Sequence, residues 1–210
     1  MTPLPKPDYD PTRNTIRVWH TDGPPNEYRM YGGICWPFEE HSGVRINFEG
    51  HAVVCGLEVR TKDVHVFSHT EFSTVDPQKD KNQVVIQEGV AQWLNRMWSE
   101  WYCLSYYWHG NAMTSRNYRI AVSRSPWCRP KPQLIEAKWQ EDEYANFLLL
   151  NAMSLKKFSG PNELISPISM QKNLDKKLHP PRHAILCAMI GMETHPWKEP
   201  VLRPGEFIKI

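Results

Sequence analysis

The sequence predicts a mixed α/β fold, of α/β or α+β type, with a single mixed sheet, an early β-hairpin and about three packed helices. Three observations carry this expectation. Two apolar runs, Ala52 to Val59 and Val64 to Phe72, flank the polar stretch Arg60-Thr61-Lys62-Asp63, which is the pattern of a hairpin. Residues 83–102 and 141–158 carry apolar side chains at three- and four-residue spacing, as amphipathic helices do. Short apolar runs interleave with these helices, and strands mixed with helices pack as layers.

Along the chain, residues 1–14 are Pro-rich and polar and read as an extended arm. Ile16, Val18 and Trp19 form a short strand ending in the turn Thr21-Asp22-Gly23-Pro24-Pro25. Tyr31 to Pro37 is a second apolar run, broken by Gly32-Gly33. In the hairpin, period-2 alternation puts Val64, Val66 and Phe72 on one face. The helix over 83–102 aligns Ile86, Val90, Trp93, Leu94, Met97, Trp98 and Trp101, with Asn82 as its cap. Leu104 to Trp108 reads as a buried strand, Tyr118 to Val122 as a further strand, 123–133 as a basic, Pro-punctuated loop, and Leu134 to Trp139 as a short strand. The helix over 141–158 has Glu141, Asp142 and Glu143 in its first turn and Lys156 and Lys157 in its last, in the sense of the helix dipole, and Gly160 follows. Its apolar stripe is Tyr144, Phe147, Leu148, Ala152, Leu155 and Phe158. A loop over 159–180 leads to a last helix over 181–192, with Pro181 in its first turn. The elements define one globular domain over 15–195, between the arm and a Pro-rich extended tail over 196–210.

The bulk composition narrows the function classes. A chain of 210 residues fits one domain, and a net charge of +2 means that any electrostatic footprint is local. Nine Trp belong in the core or on a contact face. Five Cys, none in a CxxC pair and most in apolar runs, argue against a disulfide framework or a zinc site and for a reducing, intracellular setting: the cytoplasm, a host's cytoplasm or a virion. The N-terminus lacks a signal-peptide apolar region, and no run of eighteen apolar residues predicts a membrane partner.

Four groups of residues bear on chemistry. Between Arg116 and Lys138 lie Arg116, Arg119, Arg124, Arg129, Lys131 and Lys138 against the single acid Glu136, with Tyr106, Tyr107, Trp108, Tyr118, Trp127 and Trp139 among or just before them. Cations neutralise phosphates and aromatic faces stack on unpaired bases, so this stretch predicts DNA or RNA as partner; the alternative is a solvated basic loop beside core aromatics. Glu136 and Lys138 form an acid-x-Lys step at a strand end, a way for a nuclease to present a Mg²⁺ ligand and a Lys beside the attacking water; the alternative is a surface pair. His65, His69 and Glu71 share one predicted strand face, either as metal ligands or as a polar outer face. Cys128 lies near Arg124 and Arg129, which lower the pKa of an exposed thiol, but no His stands near it. No GxSxG, P-loop or GxGxxG motif occurs, so no cofactor is expected, Mg²⁺ excepted if the protein is a nuclease.

The order of elements resembles the ribonuclease H-like nuclease fold of viral DNA-packaging terminases: a meander of early strands, a helix, a parallel strand, then helices. Here these are the hairpin 51–72, the helix 83–102 and the strand 104–108, with Ile16-Arg17-Val18-Trp19-His20-Thr21-Asp22-Gly23 as a first strand ending in an Asp and His179-Pro180-Pro181-Arg182-His183-Ala184 opening the late helix. The resemblance implies a two-metal site of about three or four carboxylates. Asp22 carries over as one ligand, but 104–108 and 179–184 hold no acid, so the resemblance implies a non-catalytic relative. The readings are therefore a nucleic-acid-binding protein of a phage or mobile element, a structural or assembly subunit of a larger viral complex, and a Mg²⁺-dependent nuclease using Asp22, Glu136 and Lys138.

Overall fold

The structure, a computed structural model, describes residues 6–20, 23–41, 44–47, 49–110, 112–138, 142–165 and 180–196. Its fold is mixed α/β, built on one mixed sheet of eight strands. Strand β1 (Asp8–Asp10) pairs with β2 (Thr15–His20), so Asp8 to Asp10 are held at the sheet's edge by their neighbour. Next comes the thirteen-residue β3 (Gly23–Cys35), the spine of the molecule. One edge of β3 pairs antiparallel with β6 (Gly50–Glu58), which pairs with β7 (Val64–Phe72) and through it with β12 (Phe158–Ser159). The other edge is shared: β2 takes Gly23 to Tyr28, and the parallel strand β10 (Ser105–Trp108) takes Gly32 to Ile34. Outside β10 lies the parallel strand β11 (Gln133–Glu136). Two small hairpins, β4 (Phe38–His41) with β5 (Val44–Asn47) and β8 (Gln78–Lys79) with β9 (Val85–Gln87), stand apart from the sheet.

Helices cover both faces. Helix α1 (Val90–Trp101) and helix α2 (Ala112–Arg124) lie on one, where Ile34, Val54, Trp93, Met97, Tyr106, Trp108 and Val122 form a core. Helix α3 (Asp142–Ser154) and helix α4 (Pro180–Thr194) lie on the other, with Tyr31, Val53, Cys55, Tyr107 and Leu149. Residues Arg182 to Met192 of α4 are all buried, as befits a helix that is apolar nearly all round. It sits so close to the sheet that a Cβ on Gly33 would fall 1.9 Å from the Ala184 carbonyl oxygen, and one on Gly191 within 2.3 Å of the Tyr107 ring. The pair Gly32-Gly33 is thus a packing requirement in mid-strand rather than a break. Among the described residues no helix is long and apolar enough to cross a membrane.

Five expectations are corrected by tertiary contacts. The turn after β2 is shorter than Thr21 to Pro25, because Gly23 already pairs with His20 and Pro24-Pro25 lie inside β3. The helix read over 83–102 starts at Val90: Gly89 is extended and its α-carbon abuts the backbone of Val75 and Asp76, so residues 78–87 fold back as a hairpin in which Ile86 is exposed and Asn82 caps nothing. Tyr118 to Val122 is helical, within α2; Ser115, Tyr118 and Val122 turn inward at helical spacing while Ile120 is exposed, and that packing outweighs the local β preference of Tyr, Ile and Val. Helix α3 ends at Ser154, Lys156 turns the chain at φ 55°, and Phe158 belongs to β12, drawn there by pairing with Val64. Its inward residues are Leu148, Leu149, Ala152 and Met153, whereas Tyr144, Phe147 and Leu155 point out. Finally, a β-bulge in β7, between Val66 and Ser68, flips the alternation: Val64 and Val66 pack beneath α4, and Phe72 packs in the α1 core.

Candidate nucleic-acid interface

The α2 face is built from a simple division of residues. Ser115, Tyr118 and Val122 turn toward the protein, and Tyr118 stacks on Trp36 at 5.4 Å and 12°. Burial pushes the Tyr118 hydroxyl above its usual range, and the neighbouring Glu49 adds to the effect. The flank and outer side of the helix carry Arg116, Arg119 and Arg124, all exposed. At 100° per residue the three lie within about 140° of one another, so they share one face. Arg119 rests its guanidinium 5.1 Å above the Trp108 ring, which fixes it without neutralising it.

The chain then leaves α2 in a loop that is held at three points. Ser125 donates to an Asp76 carboxylate oxygen, the Arg129 backbone N–H donates to Asn95 Oδ1 on α1 at 3.3 Å, and Cys128 is fully buried between them. Lys131 Nζ donates to the Ser125 carbonyl. The anchored loop presents Trp127, Arg129 and Lys131 outward, and Lys79 Nζ lies 5.1 Å from the Trp127 ring. Among the described residues none of Arg116, Arg119, Arg124, Arg129, Lys131 and Lys138 makes an ion pair. Residues 101–135 contain no Asp or Glu at all. Lys138 is exposed beyond the end of β11, on a different element from the α2 face.

The aromatics separate into two groups. Tyr106, Tyr107 and Trp108 are core residues of β10, and Tyr118 spends its ring on Trp36, which leaves Trp127 as the exposed platform of the stretch. Trp139 and Asp22 lie outside the described residues. Gly23, which follows Asp22, begins β3, whereas Glu136 is level with Trp108 and Ile34 near the other end of that strand. Glu136 is exposed, as is Lys138.

The β7 bulge also divides the histidines. His65 turns to the α1 side, with its ring against Phe67 and Nδ1 2.8 Å from the Ser159 hydroxyl. His69 and Glu71 turn to the other side, where Val53 and His51 face them across the strand pair. A position that sequence reasoning passed over supplies the partner: His51 Nδ1 lies 3.0 Å from His69 Nε2, with the rings stacked at 5.2 Å. Burial, then the nearby His69, pulls the His51 pKa down to about 4, and burial lowers that of His69. The same end of the sheet holds His109, whose Nδ1 donates to the Ala137 carbonyl at 2.8 Å, and His183 of α4, whose ring is 6.0 Å from that of His109. Among the described residues no group of three or more His, Cys, Asp or Glu is placed to hold a metal ion. Cys128 is corrected as a reactive thiol: its burial outweighs the basic neighbourhood and pushes the pKa up to about 11.

No protein-family model matches this chain, and no curated protein matches it.

Proposed function

We propose that this protein binds nucleic acid, in the setting of a phage or other mobile element, and acts by binding rather than by cutting. One observation carries the reading: Arg116, Arg119, Arg124, Arg129 and Lys131 are exposed on one helix and its anchored loop and make no ion pair among the described residues, in a stretch whose sequence, 101–135, holds no acid. Exposed cations that make no ion pair with a protein acid attract a polyanion, and a loop pinned at three points loses little entropy on binding. Trp127 beside the cations gives an unpaired base a stacking surface.

The strand order supports the resemblance to ribonuclease H-like nucleases, since the meander β3-β6-β7 is followed by α1, the parallel strand β10 and later helices. Among the described residues, no set of carboxylates is brought together for the magnesium ions of such nucleases. The end of β10 and the first turn of α4 present His109 and His183 where carboxylates would be needed, and Glu136 stands alone on β11. Imidazoles do not replace a set of carboxylates around hard cations.

Fluorescence anisotropy of labelled single strands and duplexes across a salt series tests this. Neutralising about five phosphates predicts a log–log salt slope near −3.5 on a single strand. No binding at low salt removes the proposal. A second reading, a subunit of a larger viral assembly, rests on a different observation: Tyr144, Phe147 and Leu150 on α3, with Leu155 just after it, form an exposed apolar outer face.

A further inference from the structure

We propose that the fork in the sheet, where β2 and β10 part along the same edge of β3, is a binding site for a small phosphate monoester. The fork follows from the register. Strand β2 pairs with β3 as far as Tyr28, and β10 begins pairing at Gly32. Arg29, Met30 and Tyr31 pair with β6 on one edge and, among the described residues, with no strand on the other. A three-residue gap between two strands opens space in the middle of a sheet. A cavity of about 200 Å³ fills it, walled by Tyr9 of β1, Asn14 from the β1–β2 connection, Tyr102 from the end of α1, Ser105 at the start of β10 and Gln133 at the start of β11.

The lining specifies the ligand's charge. Arg29 is the one charged residue in the wall, and among the described residues it makes no ion pair. Its guanidinium sits 5.8 Å from the centre of the Tyr31 ring, supported from one side and open to an anion on the other. Tyr107 also lines the cavity. It is 2% exposed, and its hydroxyl bonds to no described residue. Burial pushes its pKa up to about 12, with the Tyr31 hydroxyl adding and Arg29 opposing, so the group stays a proton donor near neutrality. Ser105 Oγ is 3.5 Å from Gln133 Oε1, a contact long enough to yield to a stronger acceptor.

The donor count favours phosphate over carboxylate. A guanidinium fork, the Tyr107 and Ser105 hydroxyls and the Asn14 and Gln133 amides outnumber the two oxygens of a carboxylate and suit the three terminal oxygens of a monoester. The cavity exceeds what one phosphate needs and falls below a drug-sized cleft, so the ester carries a single ring or short chain. The Tyr9–Tyr102 stack, at 4.5 Å and 6°, provides a flat wall for it. Two sources share this chemistry, a free phosphorylated metabolite and the phosphorylated end of a strand. The second rests on the nucleic-acid reading and is consistent with Gln133, which closes the basic loop and lines the cavity.

The test is isothermal titration calorimetry of the full chain with inorganic phosphate, phenyl phosphate and benzoate, repeated with Arg29→Gln, Arg29→Lys and Tyr107→Phe. Phenyl phosphate binds saturably and more tightly than benzoate; Arg29→Gln weakens it about tenfold or more, the worth of one charge-assisted hydrogen bond, and Arg29→Lys retains part of the affinity. Short oligonucleotides with a 5′-phosphate or a 5′-hydroxyl separate the sources: a preference for the phosphate that Arg29→Gln abolishes assigns the site to a strand end, and phenyl phosphate binding without it assigns the site to a metabolite. Absence of saturable binding by either phosphate up to about 10 mM, or equal binding by a folded Arg29→Gln protein, overturns the proposal. An Arg116→Ala/Arg124→Ala protein that loses nucleic acid but still binds phenyl phosphate shows that the two sites stand or fall separately.

Discussion

The buried imidazole pair His51–His69 shows how one contact turns into a property of the whole fold. Both pKa values lie below the ordinary histidine range, so the folded protein keeps the pair neutral while the unfolded chain takes up protons. Stability is therefore complete above about pH 6.5 and is lost as the pH falls from there toward 4, by up to about 3 kcal/mol from His51. Glu71 opposite His51 and Cys35 on its other side are the neighbours across the sheet, and neither ion-pairs with it among the described residues. Thermal unfolding across this window shows the fall, and His51→Gln flattens it. The thiols give a second outcome at this scale. Cys35, Cys55, Cys103, Cys128 and Cys187 are all buried and in no disulfide, and burial raises the pKa of Cys55, Cys103 and Cys128. A chromogenic disulfide reagent then titrates no thiol in the native protein and five after denaturation; rapid native reaction at Cys128 would contradict its placement.

Among the elements, α2 and α3 differ in what their outer faces offer. On α2 the face is cationic, so Arg116→Ala and Arg124→Ala leave stability within about 0.5 kcal/mol while each reduces the salt slope of nucleic-acid binding by about 0.7. On α3 the face is apolar. Phe147 is 60% exposed and Leu149 fully buried, so Leu149→Ala costs about 2–5 kcal/mol, and Phe147→Glu costs little. Sedimentation of the two proteins separates the readings: a wild-type oligomer dissolved by Phe147→Glu favours the assembly subunit, and a monomer in both cases leaves α3 without that role. The periodicity of residues 144–158 marks a helix but not its inner face, since Phe147 and Leu148 are both apolar and only the contact with α4 chooses between them.

For the whole molecule the decisive fit is between α4 and the sheet. Gly33 and Gly191 let the helix lie against β3 and the Tyr107 ring, so Gly33→Ala forces a backbone shift and costs about 3 kcal/mol or more, seen as a large drop in the unfolding midpoint. That fit also keeps the end of α4 near the fork, where the Tyr31 hydroxyl donates to the His195 carbonyl at 3.0 Å.

The sequence by itself determined the mixed α/β class, the β6–β7 hairpin, the strands β2, β10 and β11, and the acid-free basic stretch, because each is written in local composition or in a short period. The sequence leaves open whether Arg116, Arg119, Arg124, Arg129 and Lys131 share an exposed surface, because Tyr118, Ile120 and Trp127 stand among them; the tertiary structure leaves all five cations exposed. Only the tertiary structure decided that Tyr118 to Val122 is helical, that Tyr106, Tyr107 and Trp108 are core, and that one bulge sends His65 and His69 to opposite faces. The fork at Arg29 belongs to this second group as well. It arises where two strands distant in sequence stop along one edge of a third, and no local pattern records where a neighbour ends.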